Sequence, residues 1–272
     1  MIDRHQYAGY LALQGLSDNT IRVYAAMAVR WCDWAVANRH DPWCPDPLAV
    51  REWSQTVNGT RSSLAHARAA IGHWCRACEV QDVSAVIPLP RRGSTAQPLL
   101  DHAQTCRLLG AADGAGLAGL AVKVGLYTAG RAGEIASLAW SHVDFDRGTV
   151  TLVRPKVRDL HTIPLHPALA LELRLRWVRG ALWVFEGRHG GHTTASQVWG
   201  WVREVGAVAG LGKVTPTMLR RTCLTEINDV TRDLRAAQLV AGHTDPAVTA
   251  GYCRVSDVRM LEAVGSLAWV GT

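Results

Sequence analysis

Residues 239–255, LVAGHTDPAVTAGYCRV, set His243 and Tyr252 nine positions apart. Thr244 or Asp245 is placed to cap a helix that begins at Pro246, where a fixed φ and a missing N–H do no harm. That helix is expected to reach about Ser256 and to carry Tyr252 on its second turn. A phenol of ordinary pKa, about 10, is a poor nucleophile at neutral pH. It becomes a useful one where cations and hydrogen-bond donors converge on the electrophile beside it.

Three other stretches supply candidates. TAGRAGEIASLAW, residues 128–140, holds Arg131 and Glu134, three apart on one expected helical face, where the carboxylate can fix the guanidinium. VRPKVRD, residues 153–159, puts Lys156 in a turn between two β-patterned runs. TPTMLRRT, residues 215–222, holds Thr217 and Arg220 on a helix that Thr215 can cap and Pro216 can start. In this order these residues resemble the catalytic signature of the tyrosine recombinases, or phage integrases. The signature is an Arg in a G-x-R-x-x-E box, a hairpin Lys, an H-x-x-R box, and a His with a Tyr nucleophile nine residues on. The matching positions are Arg131, Lys156, Arg220, His243 and Tyr252, with Thr217 standing where the family has the first His of H-x-x-R. Gly242 before His243, Leu219 before Arg220 and Pro164 eight residues after Lys156 fit as well. Any one box is weak; four in order, with their neighbours, are specific. The resemblance covers roughly residues 98–256, and the N-terminal part by general pattern only.

The bulk composition bounds the rest. A chain of 272 residues, 48% of them apolar, suits one large or two smaller folded domains and excludes a disordered protein. No run of 18 apolar residues occurs, and MIDRHQYAGY lacks the apolar segment of a signal peptide. The expectation is a soluble cytoplasmic protein with no membrane partner. The net charge of +6 comes from 26 Arg and 3 Lys against 23 acids. Guanidinium clamps phosphate oxygens bidentately, so this excess favours a phosphate partner; an Arg-rich coding bias is the bland reading. Seven Cys without framework spacing imply reduced thiols. Cys75 and Cys78, near His73, form one C-x-x-C, but no second pair follows at zinc spacing, so they read as small helix residues.

Taken in order, the chain is mainly α with a small β-sheet. Residues 3–14, then a helix from Ser17 or Asp18 with Ile21, Tyr24, Ala28, Trp31 and Ala35 on one stripe, then 48–57 and a helix from Thr60 with Leu64, Ala67, Ile71, Trp74 and Cys78, make a four-helix bundle. Residues 1–87 therefore read as an N-terminal helical bundle, which the resemblance identifies with the family's core-binding, DNA-binding domain. Arg61, Arg68 and Arg76 cluster on one side of its fourth helix, either a solvated face or phosphate contacts. Residues 88–98, PLPRRGSTAQP, form a basic linker with Arg91 and Arg92. Residues 99–272 read as an α+β catalytic domain: helices near 101–112 and 116–128, a helix ending near Trp140, strands within 142–165, helices 167–178, 194–209, 216–229 and 232–240. Arg203 is a further candidate phosphate contact. Val258, Leu261, Val264 and Trp269 give an amphipathic tail, either core or, as the resemblance implies, docked on a neighbouring protomer.

The chemistry the resemblance implies needs no metal or other cofactor. Tyr252 attacks a DNA phosphodiester to give a 3′-phosphotyrosine link and a free 5′-hydroxyl. Arg131 and Arg220 neutralise the non-bridging oxygens, Lys156 protonates the leaving oxygen, His243 donates to the phosphate or holds the tyrosine, and Glu134 orients Arg131. A threonine at 217 has no useful basicity, so slower cleavage or another proton acceptor is expected. The implied function is site-specific DNA recombination, in which four protomers act on two double-stranded DNA sites among the nucleoid DNA of a bacterial host. The chain begins almost at the bundle and so is expected to lack the arm-binding domain of larger integrases. Three alternatives stand: an Xer-type chromosome-dimer resolving recombinase, a type IB topoisomerase, and a DNA-binding regulator with weakened catalysis, motivated by Thr217.

Overall fold

A computed structural model describes residues 3–57, 60–90, 98–154, 159–188 and 190–242. Asn58-Gly59, Arg91, Arg92, Lys156, His243, Tyr252, Cys253, the helix expected from Pro246 and the amphipathic tail lie outside the described residues. The chain is mainly helical with one small sheet, and it divides into two compact units, Met1–Ala96 and Gln97–Thr272.

In the first unit, α1 (Arg4–Leu13), α2 (Asp18–Ala37), α3 (Pro47–Thr56) and α4 (Arg61–Ala77) form the bundle, followed by a 3₁₀ turn at Ser84–Val86. Three starts follow from capping chemistry. Asp3 accepts from the N–H groups of His5 and Gln6, Ser17 from Thr20, and Asp46, with Pro47 as first helical residue, from Ala49. Ala28, Trp31 and Ala35 of α2 and Ala67, Ile71 and Trp74 of α4 are buried as their periodicity requires, and Tyr7, Leu11 and Trp53 complete the core. The indole N–H groups of Trp31 and Trp74 both donate to the carbonyl of Pro42, at 2.9 and 2.7 Å, which pins the loop before α3 over the core. Cys75 is fully buried and Cys78 closes α4 as its C-cap. Burial raises both thiols, Cys78 to about 11, so neither carries thiolate character near neutral pH. Among the described residues the cysteines are all free.

The second unit contains α5 (His102–Asp113), α6 (Gly116–Thr128), α7 (Ala132–Ala136), a 3₁₀ turn at Trp140–His142, β1 (Val143–Asp144), β2 (Thr149–Arg154), β3 (Asp159–Pro164), α8 (Pro167–Arg176), α9 (Ala195–Val208), α10 (Pro216–Thr231) and α11 (Leu234–Ala241). The strands form an antiparallel sheet in the order β1-β2-β3, with Val150 opposite Ile163 and Leu152 opposite His161. α6 is the buried centre, packed against α5, α9 and α10. Its Lys123 is paired with Asp113 at 2.7 Å and with Glu172 of α8. Burial alone would lower the lysine pKa; the hydrogen bonds that Lys123 donates to Asp113 and Glu172 outweigh it and hold the ammonium above its ordinary value.

The helix expected to end near Trp140 stops four residues earlier, at Ala136. Non-local pairing wins there: Trp140 N–H donates to the Leu182 carbonyl at 3.0 Å and Val184 N–H to Leu138 at 2.9 Å, with Ala139 bridged to Trp183. The short apolar element at 182–185 is thus the partner that draws the backbone at Ala139 into an extended, bridged conformation just before the 3₁₀ turn. The helix expected over 167–178 also ends early, at Arg176, and the one expected from Arg232 begins at Leu234, because Arg232 takes a left-handed conformation closing α10.

Close helix approach makes one glycine decisive. A Cβ on Gly119 would sit 1.9 Å from the Ala112 carbonyl oxygen, which is backbone and cannot swing aside. Gly119→Ala is expected to cost about 3 kcal/mol, the upper end of overpacking penalties. Urea unfolding of the purified chain measures it, and an unchanged midpoint would contradict this α5–α6 contact.

Candidate active site

Arg131 stands just after the turn that leaves α6. Thr128 Oγ1 donates to the Val124 carbonyl at 2.6 Å and accepts from Gly130 N–H at 3.1 Å, while Ala129 adopts a left-handed φ of 52°. A Cβ at Gly130 would come within 3.0 Å of Thr128 Oγ1 and 3.1 Å of Ile135 Cγ1, so the turn is filled. Arg131 is not on a helical face with Glu134, as its spacing alone predicts; it is the N-cap of α7, with Glu134 at the third helical position. From there the carboxylate accepts the Arg131 main-chain N–H at 2.9 Å and its guanidinium at 2.8 Å. Glu134 is buried and half of the Arg131 side chain stays exposed. A buried carboxylate at a helix N-terminus therefore grips both ends of an arginine whose head remains at the surface.

Arg220 lies on the second turn of α10. Thr215 caps that helix by accepting from Met218 N–H at 3.2 Å, Pro216 starts it, and buried Leu219 packs on Gly125 of α6. Arg220 is only 4% exposed. Its guanidinium donates to the Ala129 carbonyl at 2.5 Å and to the Ala241 carbonyl at 2.9 Å. One side chain thus ties the residue two before Arg131 to the residue two before His243. Thr217 is exposed on the first turn of α10, and Arg221 is buried. Beside them, burial pushes the Cys223 thiol up to about 12, opposed by a hydrogen bond from the Ala129 backbone and by the Arg220 charge, so it is no rival nucleophile.

The basic residues of the first unit divide. Arg61 donates to the Pro90 carbonyl at 2.7 Å. Arg68 and Arg76 line an open groove on α4 with His73, Asp82 and Ser84. Arg76 bridges to Asp82 at 3.2 Å. Burial would raise the Asp82 carboxyl, but hydrogen bonds from Ser84 and the charges of Arg76 and Arg68 hold it below its ordinary value. Arg203 is exposed on α9. The structure thus joins Arg131, Glu134 and Arg220 through Ala129, leaves Thr217 on the surface of the same helix as Arg220, and keeps Arg203 on a separate helix. Two residues were missed by the sequence reading: Arg154 and His161, whose side chains reach the end of α11. The available signal was their strand parity, which puts them on the core face despite their polarity.

Comparisons with known proteins show which family the chain resembles. The profile of the phage integrase family matches residues 97–259. Tyrosine recombinase XerA of Pyrococcus furiosus is 25% identical over 266 residues, spanning 95% of this chain and 91% of its own. Tyrosine recombinase XerC of Corynebacterium efficiens is 33% identical over 145 residues, or 51% of this chain and 46% of that protein. A crystal structure of the XerH site-specific recombinase bound to a palindromic difH substrate, in a post-cleavage complex, superposes with a TM-score of 0.73 at 16% identity, covering 97% of this chain and 84% of that one.

Proposed function

The chain belongs to the phage integrase family of tyrosine site-specific DNA recombinases, and on that premise we propose that Tyr252 is its nucleophile and Arg131, Lys156, Arg220 and His243 its catalytic set. The phenolic oxygen gives up its proton to solvent and attacks the phosphorus of a DNA phosphodiester, the bond to the 5′-oxygen breaks, and Lys156 gives that oxygen a proton. Arg131 and Arg220 stabilise the two non-bridging oxygens, and His243 donates to one of them. A second strand's 5′-hydroxyl reverses the step, since the phosphotyrosine link conserves the phosphodiester energy. One observation supports this most: Arg220 reaches the Ala129 carbonyl, two residues from Arg131, so both guanidinium groups serve one locus. Glu134 orients Arg131 through its two hydrogen bonds.

In this reading the first unit is the core-binding domain, with Arg61, Arg68, Arg76, Arg91 and Arg92 along the duplex and Arg203 contributing from the catalytic domain. Four protomers assemble on two DNA sites in the cytoplasm of the host, and the tail docks between neighbours. No helix among the described residues is long and apolar enough to cross a membrane. Xer-type resolution is the second reading, favoured by relatives named XerA and XerC.

The test begins with selection of a bound sequence from random duplex DNA. A duplex of that sequence, nicked near the cleavage position, lets the short 3′ fragment diffuse away and traps the covalent product. Denaturant-resistant protein–DNA product supports the enzyme; tight binding without it supports the regulator. Thr217 adds a graded expectation. Thr217→His restores a basic group where threonine has none, and should raise the trapping rate on the order of tenfold to a hundredfold. An unchanged rate would mean that another group already takes the phenolic proton.

A further inference from the structure

We infer that Arg154 and His161, on the two arms of the β2–β3 hairpin, latch the C-terminal end of α11, and that Arg154 is a positioning residue for the segment that continues into His243. This rests on the catalytic reading given under Proposed function.

A helix leaves its last carbonyls without intrahelical donors. At the end of α11, those carbonyls are met from outside. His161 Nε2 lies 2.9 Å from the Val240 oxygen; a carbonyl only accepts, so Nε2 carries the hydrogen. Arg154 donates to the Ala241 carbonyl at 2.9 Å and also to the Gly242 carbonyl. Arg220 adds its own bond to Ala241. Cationic donors at a helix C-terminus also oppose the negative end of its dipole.

The hairpin is built for this contact. Val150, Leu152 and Arg154 alternate onto one face of β2, and their cross-strand partners Ile163 and His161 share it. At the root of the hairpin that face is apolar and buried, with Val150, Leu152 and Ile163 in the core. Toward the tip it turns polar, with Arg154 and His161 reaching α11 instead of the core. Gly242 completes the fit. Its φ of 54° closes the helix, and a Cβ there would overlap the Arg154 guanidinium. The glycine thus serves both the backbone turn and the close seating of the arginine.

The chain connectivity gives the latch its consequence. Arg154 is two residues before Lys156, and Gly242 is the residue before His243. Holding Arg154 on the 241–242 carbonyls therefore fixes the roots of the two segments that carry the general acid and the phosphate donor. A misplacement near 1 Å can cost about a hundredfold in rate.

The test uses the full chain and three variants, Arg154→Met, Arg154→Lys and His161→Gln. On the selected nicked duplex, Arg154→Met should trap covalent product about a hundredfold more slowly than the parent, with affinity for the intact duplex changed less than about threefold. Arg154→Lys, with one donor axis instead of a fork, should recover part of that loss. Hydrogen exchange at the amides of residues 239–242 should quicken about tenfold in Arg154→Met and measurably in His161→Gln. Trapping at the parental rate in Arg154→Met overturns the positioning role, and unchanged exchange overturns the latch. If Arg154→Met fails to fold, the other two variants decide by the same two readouts. A parent that forms no adduct sinks the catalytic reading, while the exchange measurement still decides whether the latch exists.

Discussion

Tyr252→Phe is expected to abolish covalent trapping, by on the order of 10⁴-fold or more, while duplex affinity stays close to that of the parent. Removing one oxygen deletes the proposed nucleophile and leaves the ring's shape and apolar surface in place. Losses of this order follow when a covalent nucleophile is removed from a site whose other members remain. The affinity should hold because, in the proposed function, binding energy comes from arginine–phosphate contacts spread along the duplex and not from the attacking group. A variant that still forms denaturant-resistant product would move the nucleophile elsewhere, Cys253 being the next residue in line.

Arg220→Ala should fail in two ways at once. Arg220 is buried and its guanidinium serves two carbonyls, Ala129 and Ala241, from separate parts of the chain. Hydrogen bonds from a charged donor contribute about 1.5–3 kcal/mol each, and the carbonyls left behind lose that donor inside the protein. A loss of about 3 kcal/mol, or a fall in Tm of roughly 10 °C, is expected from thermal unfolding. Trapping should fall about 10³-fold or more, because the proposed guanidinium partner of the non-bridging oxygens is lost. A guanidinium has five N–H donors in a fixed fork, so serving carbonyls and serving a phosphate are compatible roles. Arg220→Lys separates them. Its single ammonium can hold one carbonyl and recover part of the stability, but it cannot reproduce the fork, so trapping should stay about 10²-fold down. Normal trapping in Arg220→Ala would remove this residue from the chemistry.

Much of the fold was readable from local chemistry. Asp101-x-x-Gln104 forms the reciprocal capping box that such a pattern predicts, and Asp46-Pro47 and Thr215-Pro216 start helices for the reason given by proline's geometry. The apolar stripes of α2 and α4 found the core because a helix of period 3.6 must bury one face. What escaped was non-local. Nothing near Ala136 announces that residues 182–184 will capture the backbone after it, and nothing near Pro42 announces that two distant indoles will share its carbonyl.

The site divides along the same line. The Arg131–Glu134 partnership followed from a spacing of three, yet it works through an N-cap and a third helical position instead of one helical face. The second role of Arg220, joining two chain segments, has no local signature because both acceptors are main-chain carbonyls. Arg154 and His161 were passed over for a related reason: polar residues near a hairpin tip look solvated until their parity is followed to the core face.

In the proposed mechanism one tyrosine oxygen becomes esterified to DNA. Protease digestion of the product trapped on the selected nicked duplex, followed by mass spectrometry, identifies the modified side chain. A single modified peptide spanning residue 252 is expected, with a nucleotide attached to Tyr252 through its 3′-phosphate. A modification on any other residue, a 5′-phosphate linkage, or tight binding that never yields a covalent product would contradict it.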